Sequence, residues 1–380
     1  MNLSMLGFSN IPYLLLGIIG LGFIISFHEL GHFLFCKLFK VRTPTFSVGF
    51  GPQLLAKKIG DTVFTLSAIP LGGYVEIAGA AEVGQGDQKE AGRNDEYSFQ
   101  NKPYWQKLLI LLGGIIFNLI FAFIAFLYLS MTGVPKTSLL YPLNGTNQVI
   151  VVNENSPASF AGIQKNDIIT HVGDFAVQNA PDIIQVIESM PDTESNLTIV
   201  RDGQTMQLPV KTSSKIVSNK TVGMIGVGFD TQEIKATSLQ DAFKLTWQML
   251  SHGSFLVWSS LVNIFKDGTF KRVGGPLMII SQTVQGAKQG IGIFLLLLAF
   301  ISINLAIFNL IPLPILDGGQ IVTYSIEALM GRSLPENFRY ILHLTTWLLF
   351  MALFVVLTFK DASSLGWFST LKNTISSLIS

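Results

Sequence analysis

The residues best suited to chemistry lie in the segment SFHELGHFLF, from Ser26 to Phe35. It contains the pattern H-E-x-x-H, with His28 and His32 four residues apart and Glu29 beside them. On a helix, residues at this spacing share one face, so both imidazoles can bind one metal ion while the glutamate acts as a base on metal-bound water. The alternative is a pair of histidines whose hydrogen bonds are satisfied within a helix bundle.

The segment continues an apolar run that begins at Ile11, and ionisable side chains inside a membrane span are costly and usually functional. The 380 residues are 49% hydrophobic and only 13% charged, whereas a soluble chain carries about a quarter charged residues. Together these features predict a polytopic α-helical membrane protein with about four transmembrane helices. The apolar runs are 11–27, which must extend through 28–39 to be long enough, 108–129, 291–311 and 341–359.

The positive residues predict the orientation of these spans. The N-terminal tail has no lysine or arginine, which places it outside, while the loop after the first span is rich in both and is expected in the cytosol. The insert 144–288 then lies outside the cytosol. A net charge of +1 gives no indication of a nucleic-acid partner, and the single cysteine, Cys36, excludes an intrachain disulfide.

A third metal ligand is expected in NLIPLPILDGG, from Asn309 to Gly319, at the cytosolic end of the third span. A catalytic zinc takes three protein ligands and leaves one position for water. Asp317 is the only carboxylate in this segment, and Pro312 and Pro314 remove backbone donors nearby. Asp317 could instead cap the helix that opens with Gly318, and spacing alone does not decide between the two roles.

H-E-x-x-H followed by N-x-x-P-x-P-x-L-D-G resembles the site-2 protease family, and in particular the bacterial regulators of sigma-factor activation. GFGPQLL (49–55), IPLGGYVEIAG (69–79), the G-x-x-x-N pattern in the second span and GGP (274–276) also fit. The resemblance implies one zinc ion per chain, with Glu29 as general base. It implies metal ligands at His28, His32 and Asp317, and substrate contacts at Gly114, Asn118, Asn309, Pro312 and Pro314. For the two asparagines, hydrogen bonds between spans are the alternative.

The implied function is intramembrane proteolysis in the bacterial inner membrane, with the active site near the cytosolic side and the lipid bilayer as its setting. Substrates would be single-span membrane proteins, such as anti-sigma factors already cut by an upstream site-1 type protease, and remnant signal peptides. Two other classes of protein fit the motifs less well. A non-catalytic adaptor has no need of the two histidines, the glutamate and the aspartate together, and a transporter would show paired broken helices in two matching halves.

The insert between the second and third spans is predicted to be one extracytoplasmic α/β PDZ domain. SPASFAGIQKNDIITHVGD (156–174) resembles a characteristic PDZ segment, with Asn166 in place of the usual glycine. The predicted strands are 148–152, 197–200, 205–210 and 224–229, and the predicted helix is 180–189. The segment 238–265 is expected to be a helix lying on the membrane surface, with a fifth span as the alternative.

The loop after the first span is predicted to contain a membrane-associated β-hairpin. The hairpin is formed by two strands in 62–79 around the Pro-Leu-Gly-Gly turn, and 80–101 is expected to be a loose loop. A plain cytosolic hairpin is the alternative to membrane association. The predicted organisation is 1–39 first span, 40–105 cytosolic loop, 106–131 second span, 138–230 PDZ domain, 237–290 amphipathic helix and GGP linker, 291–317 third span, 340–360 fourth span and 361–380 tail.

Overall fold

The computed structural model describes residues 10–80, 88, 90, 92–217, 220–267 and 274–364. They form two compact units, one from Met1–Phe126 with Gly253–Ser380 and one from Leu127–His252. The helices are α1 (Ile11–Leu38), α2 (Tyr104–Thr132), α3 (Pro157–Phe160), α4 (Ala180–Glu188), α5 (Leu239–Asp267), α6 (Pro276–Gln289), α7 (Ile291–Asn309), α8 (Asp317–Met330) and α9 (Glu336–Ser364). The strands are β1 (Thr45–Ile59), β2 (Thr62–Val75), β3 (Gly145–Val152), β4 (Ile168–Val172), β5 (Phe175–Ala176), β6 (Glu194–Arg201), β7 (Gln204–Lys211), β8 (Ser213–Val217), β9 (Lys220–Met224) and β10 (Val227–Thr231).

Four helices of the described part are long and apolar enough to cross a membrane: α1, α2, α7 and α9 from Asn337 onward. The number agrees with the number of predicted spans. Helix α1 continues without a break through His28 and His32, so the motif lies inside the first apolar helix. Helix α7 ends at Asn309, eight residues before the predicted end of the third span at 317, because the prolines that follow cannot continue a helix.

Glycines allow α1 and α2 to approach closely. A Cβ atom on Gly31 would lie 2.2 Å from the carbonyl oxygen of Gly113, and one on Gly113 would lie 2.7 Å from the carbonyl oxygen of Gly31. Both distances are far below van der Waals contact, so neither position can carry a side chain without separating the helices. Helix backbones come this close in membranes where small residues face each other.

Helix α6 was not predicted, since the segment after GGP was expected to be only a linker. It begins at Pro276, and its buried residues include Thr283 and Val284, which lie beside Gly17 of α1. Asp361 of α9 caps its first turn: one carboxylate oxygen accepts from the Gly275 N–H at 3.1 Å and the other from the Met278 N–H at 2.9 Å. The residues 365–380 of the predicted tail lie outside the described residues.

The β-hairpin of this unit differs from the predicted one. β1 and β2 pair antiparallel, and the turn between them lies at Gly60 and Asp61, where Gly60 adopts φ +60°. The Pro-Leu-Gly-Gly segment, predicted to be the turn, lies inside β2. The start of β1, Phe46–Val48, pairs with two parts of β2. One is Phe64–Leu66, and the other, after a shift of register, is Gly73–Val75.

The predicted loose loop 80–101 is held by specific contacts in its described part. Phe99 is buried in a cluster with Phe46 and Ile110, and the Arg42 N–H donates to the Tyr97 carbonyl oxygen at 2.9 Å. Arg93 forms ion pairs with Glu90 and Asp95. The prediction of a loose loop is therefore wrong for 92–101, while 81–87, 89 and 91 lie outside the described residues.

The second unit is built on a sheet with strand order β10-β3-β4-β6-β7, in which β5 pairs with β4, and on a separate β8-β9 pair. Its core contains Val149, Ile169, Leu197 and Ile199 with Ile183 of α4. The predicted strand 224–229 is in fact two, because β9 ends at Met224 and β10 begins at Val227, with Gly226 at φ +80° between them. The first of these strands pairs with β8 and the second with β3.

A buried carboxylate just before β4 pairs with an arginine at the end of β6. Asp167 has a fully buried side chain and accepts from Arg201 through both oxygens, at 2.7 Å each, and from the Gln164 N–H at 2.8 Å. Burial opposes ionisation, but the hydrogen bonds from Arg201 and Gln164 outweigh it and hold the pKa of Asp167 below its usual value.

Candidate metal centre

Helix α1 presents two buried imidazoles on one face. His28 and His32 are each 6% exposed, one helical turn apart, and their Nε2 atoms lie 3.2 Å from each other. The His32 ring is oriented by its other nitrogen, since Nδ1 lies 2.8 Å from the Ile110 carbonyl oxygen. A carbonyl only accepts, so His32 Nδ1 carries the proton and its Nε2 is a free electron-pair donor in the neutral ring.

Asp317 is the first residue of α8, and the glycines after it let the chain turn sharply. A Cβ on Gly318 would lie 2.4 Å from the Leu310 carbonyl oxygen, and one on Gly319 would lie 2.0 Å from that of Leu313. The residue at the cap position of α8 is Leu316, and no side chain caps this helix. Asp317 therefore does not act as an ordinary helix cap. Its carboxylate points to the two histidines instead.

The three candidate ligand atoms stand at the spacing that a tetrahedral zinc site requires. Asp317 Oδ2 lies 3.3 Å from His28 Nε2 and 3.5 Å from His32 Nε2. A tetrahedron with zinc–ligand bonds of about 2.0–2.1 Å has edges of about 3.3–3.4 Å. Asp317 Oδ2 is also a buried atom without a hydrogen-bond donor. Buried acceptors that converge without donors suit a cation, and nitrogen and carboxylate oxygen are ligands that zinc prefers.

Gly114 of α2 lies directly against both imidazoles. A Cβ at this position would lie 2.4 Å from His28 Cε1 and 2.5 Å from His32 Nε2. The resemblance predicted a substrate contact for Gly114. Its position indicates that the absence of a side chain leaves room for the two rings.

The remaining residues of the predicted site lie at different distances from this centre. Glu29 is half-buried, and its carboxylate hydrogen-bonds to the Val75 backbone of β2. Asn309 is 9% exposed, and its amide nitrogen lies 3.4 Å from His28 Nε2. Pro312 is exposed and Pro314 half-buried in the segment between α7 and α8. The part of these two prolines in substrate binding stays a prediction.

Asn118 is fully buried, and its amide nitrogen lies 2.9 Å from His28 Nδ1. Ser302 of α7 is also fully buried, and its hydroxyl donates to the Asn118 carbonyl oxygen at 2.9 Å. Sequence reasoning missed Ser302 and Ile110. Nothing in the sequence marks Ile110, because it contributes through a backbone carbonyl. The only signal for Ser302 is a polar residue in the apolar run of the third span.

The chain as a whole is similar to many known proteins. The model of peptidase family M50 matches residues 16–353. The chain is 29% identical to a candidate zinc metalloprotease of Clostridium perfringens over 357 residues, which cover 92% of this chain and 98% of that protein. It is 30% identical to one of Campylobacter jejuni (90% of this chain, 91% of that protein) and to one of Helicobacter pylori (90% and 99%). Among solved structures it is similar to the PDZ domain of the SdrC-like protein from Listeria monocytogenes, at 20% identity over 23% of this chain and 87% of that chain, with a TM-score of 0.20.

Proposed function

The chain belongs to peptidase family M50, the site-2 protease family of zinc metalloproteases, and from this premise we propose that it cleaves peptide bonds within the membrane-spanning segments of other proteins. The observation that carries the proposal is the convergence of His28, His32 and Asp317 at tetrahedral spacing, with H-E-x-x-H inside the first apolar helix. A metal centre in that setting suits a substrate that reaches it through the bilayer rather than from water.

In the proposed reaction, His28 Nε2, His32 Nε2 and Asp317 Oδ2 would hold the zinc ion. The bound ion would supply Lewis acidity and a water molecule with its pKa lowered to about 7. The Glu29 carboxylate takes a proton from the attacking water and returns it to the leaving amine nitrogen. The Val75 backbone fixes that carboxylate against α1, and the Asn309 amide lies beside the ligand atoms, where it can donate to the scissile carbonyl oxygen.

A transmembrane substrate must unwind before it can be cut, because a helix keeps its carbonyls in its own hydrogen bonds, and the freed backbone groups then need partners. β2 is the proposed partner. Its Gly73–Val75 end pairs with Val48–Phe46, and it is anchored beside α1 by the Ser26 hydroxyl, which donates to the Gly72 carbonyl oxygen at 3.2 Å. A substrate strand added at this end of β2 would lie next to Glu29.

The finer assignments form part of the same proposal. The substrates are single-span proteins such as anti-sigma factors first cut by a site-1 type protease, together with remnant signal peptides, in the course of regulated intramembrane proteolysis. The enzyme is a multi-pass protein of the bacterial cell membrane with its catalytic residues near the cytosolic side. The insert serves as a PDZ domain on the other side, as the positive residues after the first span support.

The test is cleavage of a tagged single-span substrate by the purified full chain in detergent. We expect Glu29→Gln to keep about one zinc per chain and to lose turnover, because the amide cannot take up a proton. Glu154→Gln makes the same change at an exposed residue of the insert and should cleave at the wild-type rate. Equal cleavage by wild type and Glu29→Gln would contradict the proposal, and so would a zinc-loaded wild type that cuts no membrane-spanning segment.

A further inference from the structure

Asn118 occupies a position that does not suit a residue meant to touch substrate. It has no exposed surface, it is one helical turn from Gly114 on α2, and its amide meets the side of the His28 ring opposite the ligand atom. The Ser302 hydroxyl reaches it from α7, at 2.9 Å from its carbonyl oxygen and 3.5 Å from its Oδ1. Among the described residues, the Asn118 side chain therefore contacts His28, and Ser302 of α7 reaches it from the neighbouring helix.

Proton placement on His28 depends on this amide. A histidine that offers Nε2 to a metal is neutral and must carry its proton on Nδ1, which then needs an acceptor. Within the described residues the hydrogen-bond partner of His28 Nδ1 is Asn118. If the amide nitrogen donates to Nδ1, the His28 proton is forced onto Nε2, where it faces Asp317 and prevents coordination.

A half-turn of the Asn118 amide gives His28 Nδ1 an acceptor and gives the Asn118 amide nitrogen an acceptor on Ser302. Amide oxygen and nitrogen are nearly isosteric, so the turn requires no other movement. Oδ1 then accepts from His28 Nδ1, and the amide nitrogen takes the place 3.5 Å from the Ser302 hydroxyl oxygen. That oxygen can accept because its own hydrogen is donated to the Asn118 backbone carbonyl at 2.9 Å. The His28 Nδ1 hydrogen, the Ser302 hydroxyl hydrogen and one amide hydrogen of Asn118 then each face an acceptor.

We propose that Asn118 is a positioning residue for the metal ligand His28: its Oδ1 accepts from His28 Nδ1 and fixes the tautomer and ring plane that present Nε2 to zinc, while Ser302 holds the amide in that orientation. The inference rests on the proposed metal site. In this proposal the Asn118 side chain orients the His28 ring, just as the Ile110 carbonyl oxygen orients the His32 ring.

The experiment compares zinc affinities, by chelator competition, of the full chain and its variants in detergent. Asn118→Leu keeps the volume and removes the acceptor, and it should weaken zinc binding about 10- to 100-fold, the usual effect of losing such a partner. Asn118→Asp keeps an acceptor and should stay near the wild-type affinity. Asn304→Leu is the matched control, since the Asn304 amide donates to the Phe300 carbonyl oxygen of its own helix at 2.8 Å, and should leave the affinity unchanged.

Two further measurements separate this role from others. Cobalt-loaded Asn118→Leu should show a changed visible absorption spectrum and cobalt-loaded Asn118→Asp a spectrum like wild type, which a role in packing alone would not produce. If Asn118→Leu fails to fold, Ser302→Ala provides the test. We expect it to lose less zinc affinity than Asn118→Leu, because the Asn118 amide keeps its acceptor and loses only the group that holds its orientation.

Two results would overturn the inference and favour substrate binding by the amide. The first is wild-type zinc affinity together with a raised KM in Asn118→Leu. The second, which applies if Asn118→Leu does not fold, is wild-type zinc affinity in a folded Ser302→Ala. The proposed function would survive either result. A wild-type chain that binds no zinc would instead refute the proposed function.

Discussion

Replacing Gly114 by alanine tests whether α2 packs against the two imidazole rings of the candidate metal centre as described. The new Cβ would lie 2.4 Å from His28 Cε1 and 2.5 Å from His32 Nε2, whereas non-bonded carbon atoms settle at about 3.5–4.0 Å. The rings must therefore shift by about 1 Å, several times the roughly 0.2 Å tolerance of a zinc–ligand distance. A displacement of this size costs about 100-fold in catalysis.

The expected result for Gly114→Ala is a fall in zinc affinity together with a loss of about 100-fold in substrate cleavage. The helix itself should not suffer, because alanine is favoured over glycine in a helix interior by about 1 kcal/mol. Gly17→Ala is the control, since its Cβ would lie 3.1 Å from the Thr283 hydroxyl and 3.6 Å from Thr283 Cβ and Val284 Cγ2, and would meet neither imidazole. Wild-type zinc affinity and cleavage in Gly114→Ala would refute the packing of α2 on the two rings.

Three further outcomes are expected. Arg201→Ala should destabilise the insert by about 3 kcal/mol near neutral pH, measured as faster proteolysis of this unit in the full chain, because it leaves a buried carboxylate unpaired. The lowered pKa of Asp167 means that the pair stabilises the fold above about pH 4 and ceases to do so as pH falls below it, so the difference from wild type should shrink there; a constant difference would contradict the pairing. Asp361→Ala should cost about 1–2 kcal/mol in thermal unfolding in detergent through loss of the α6 cap, with Asp361→Asn closer to wild type. Single cysteines at Lys58 and Asn166, made in a cysteine-free background, should react with an impermeant reagent from opposite sides of the membrane, and labelling of both from outside would contradict the proposed topology.

The sequence predicted that the two histidines of the candidate metal centre lie together, because their geometry is local. Spacing on a single helix fixes the relation of His28 to His32, and α1 continues through both. The position of Asp317 depends on a sharp turn after α7. Residue spacing alone does not show whether its carboxylate points to the histidines or caps α8. The turn needs Gly318 and Gly319 close to backbone carbonyls, and that fit is visible only when the loop is folded.

The predictions from sequence fail where tertiary contacts override local signals. Pro-Leu-Gly-Gly has the composition of a turn, yet its residues extend along α1 inside β2, and the turn forms at Gly60 and Asp61 instead. Helix α6 follows directly on GGP and has a mixed composition, and Asp361, far along the chain, caps it. Asn118 was assigned by resemblance alone, while its contacts with His28 and Ser302 join three helices.

The most direct test of the central claim is the zinc content of the purified full chain and of Asp317→Ala, measured by elemental analysis after dialysis. We expect about one zinc per wild-type chain and a large loss in the variant, because two imidazoles alone make an incomplete site. Asp174→Ala, the same change at an exposed residue of the insert, should keep its zinc. A wild type without zinc, or an Asp317→Ala variant that retains one zinc per chain, would contradict the assignment of His28, His32 and Asp317 as the metal centre.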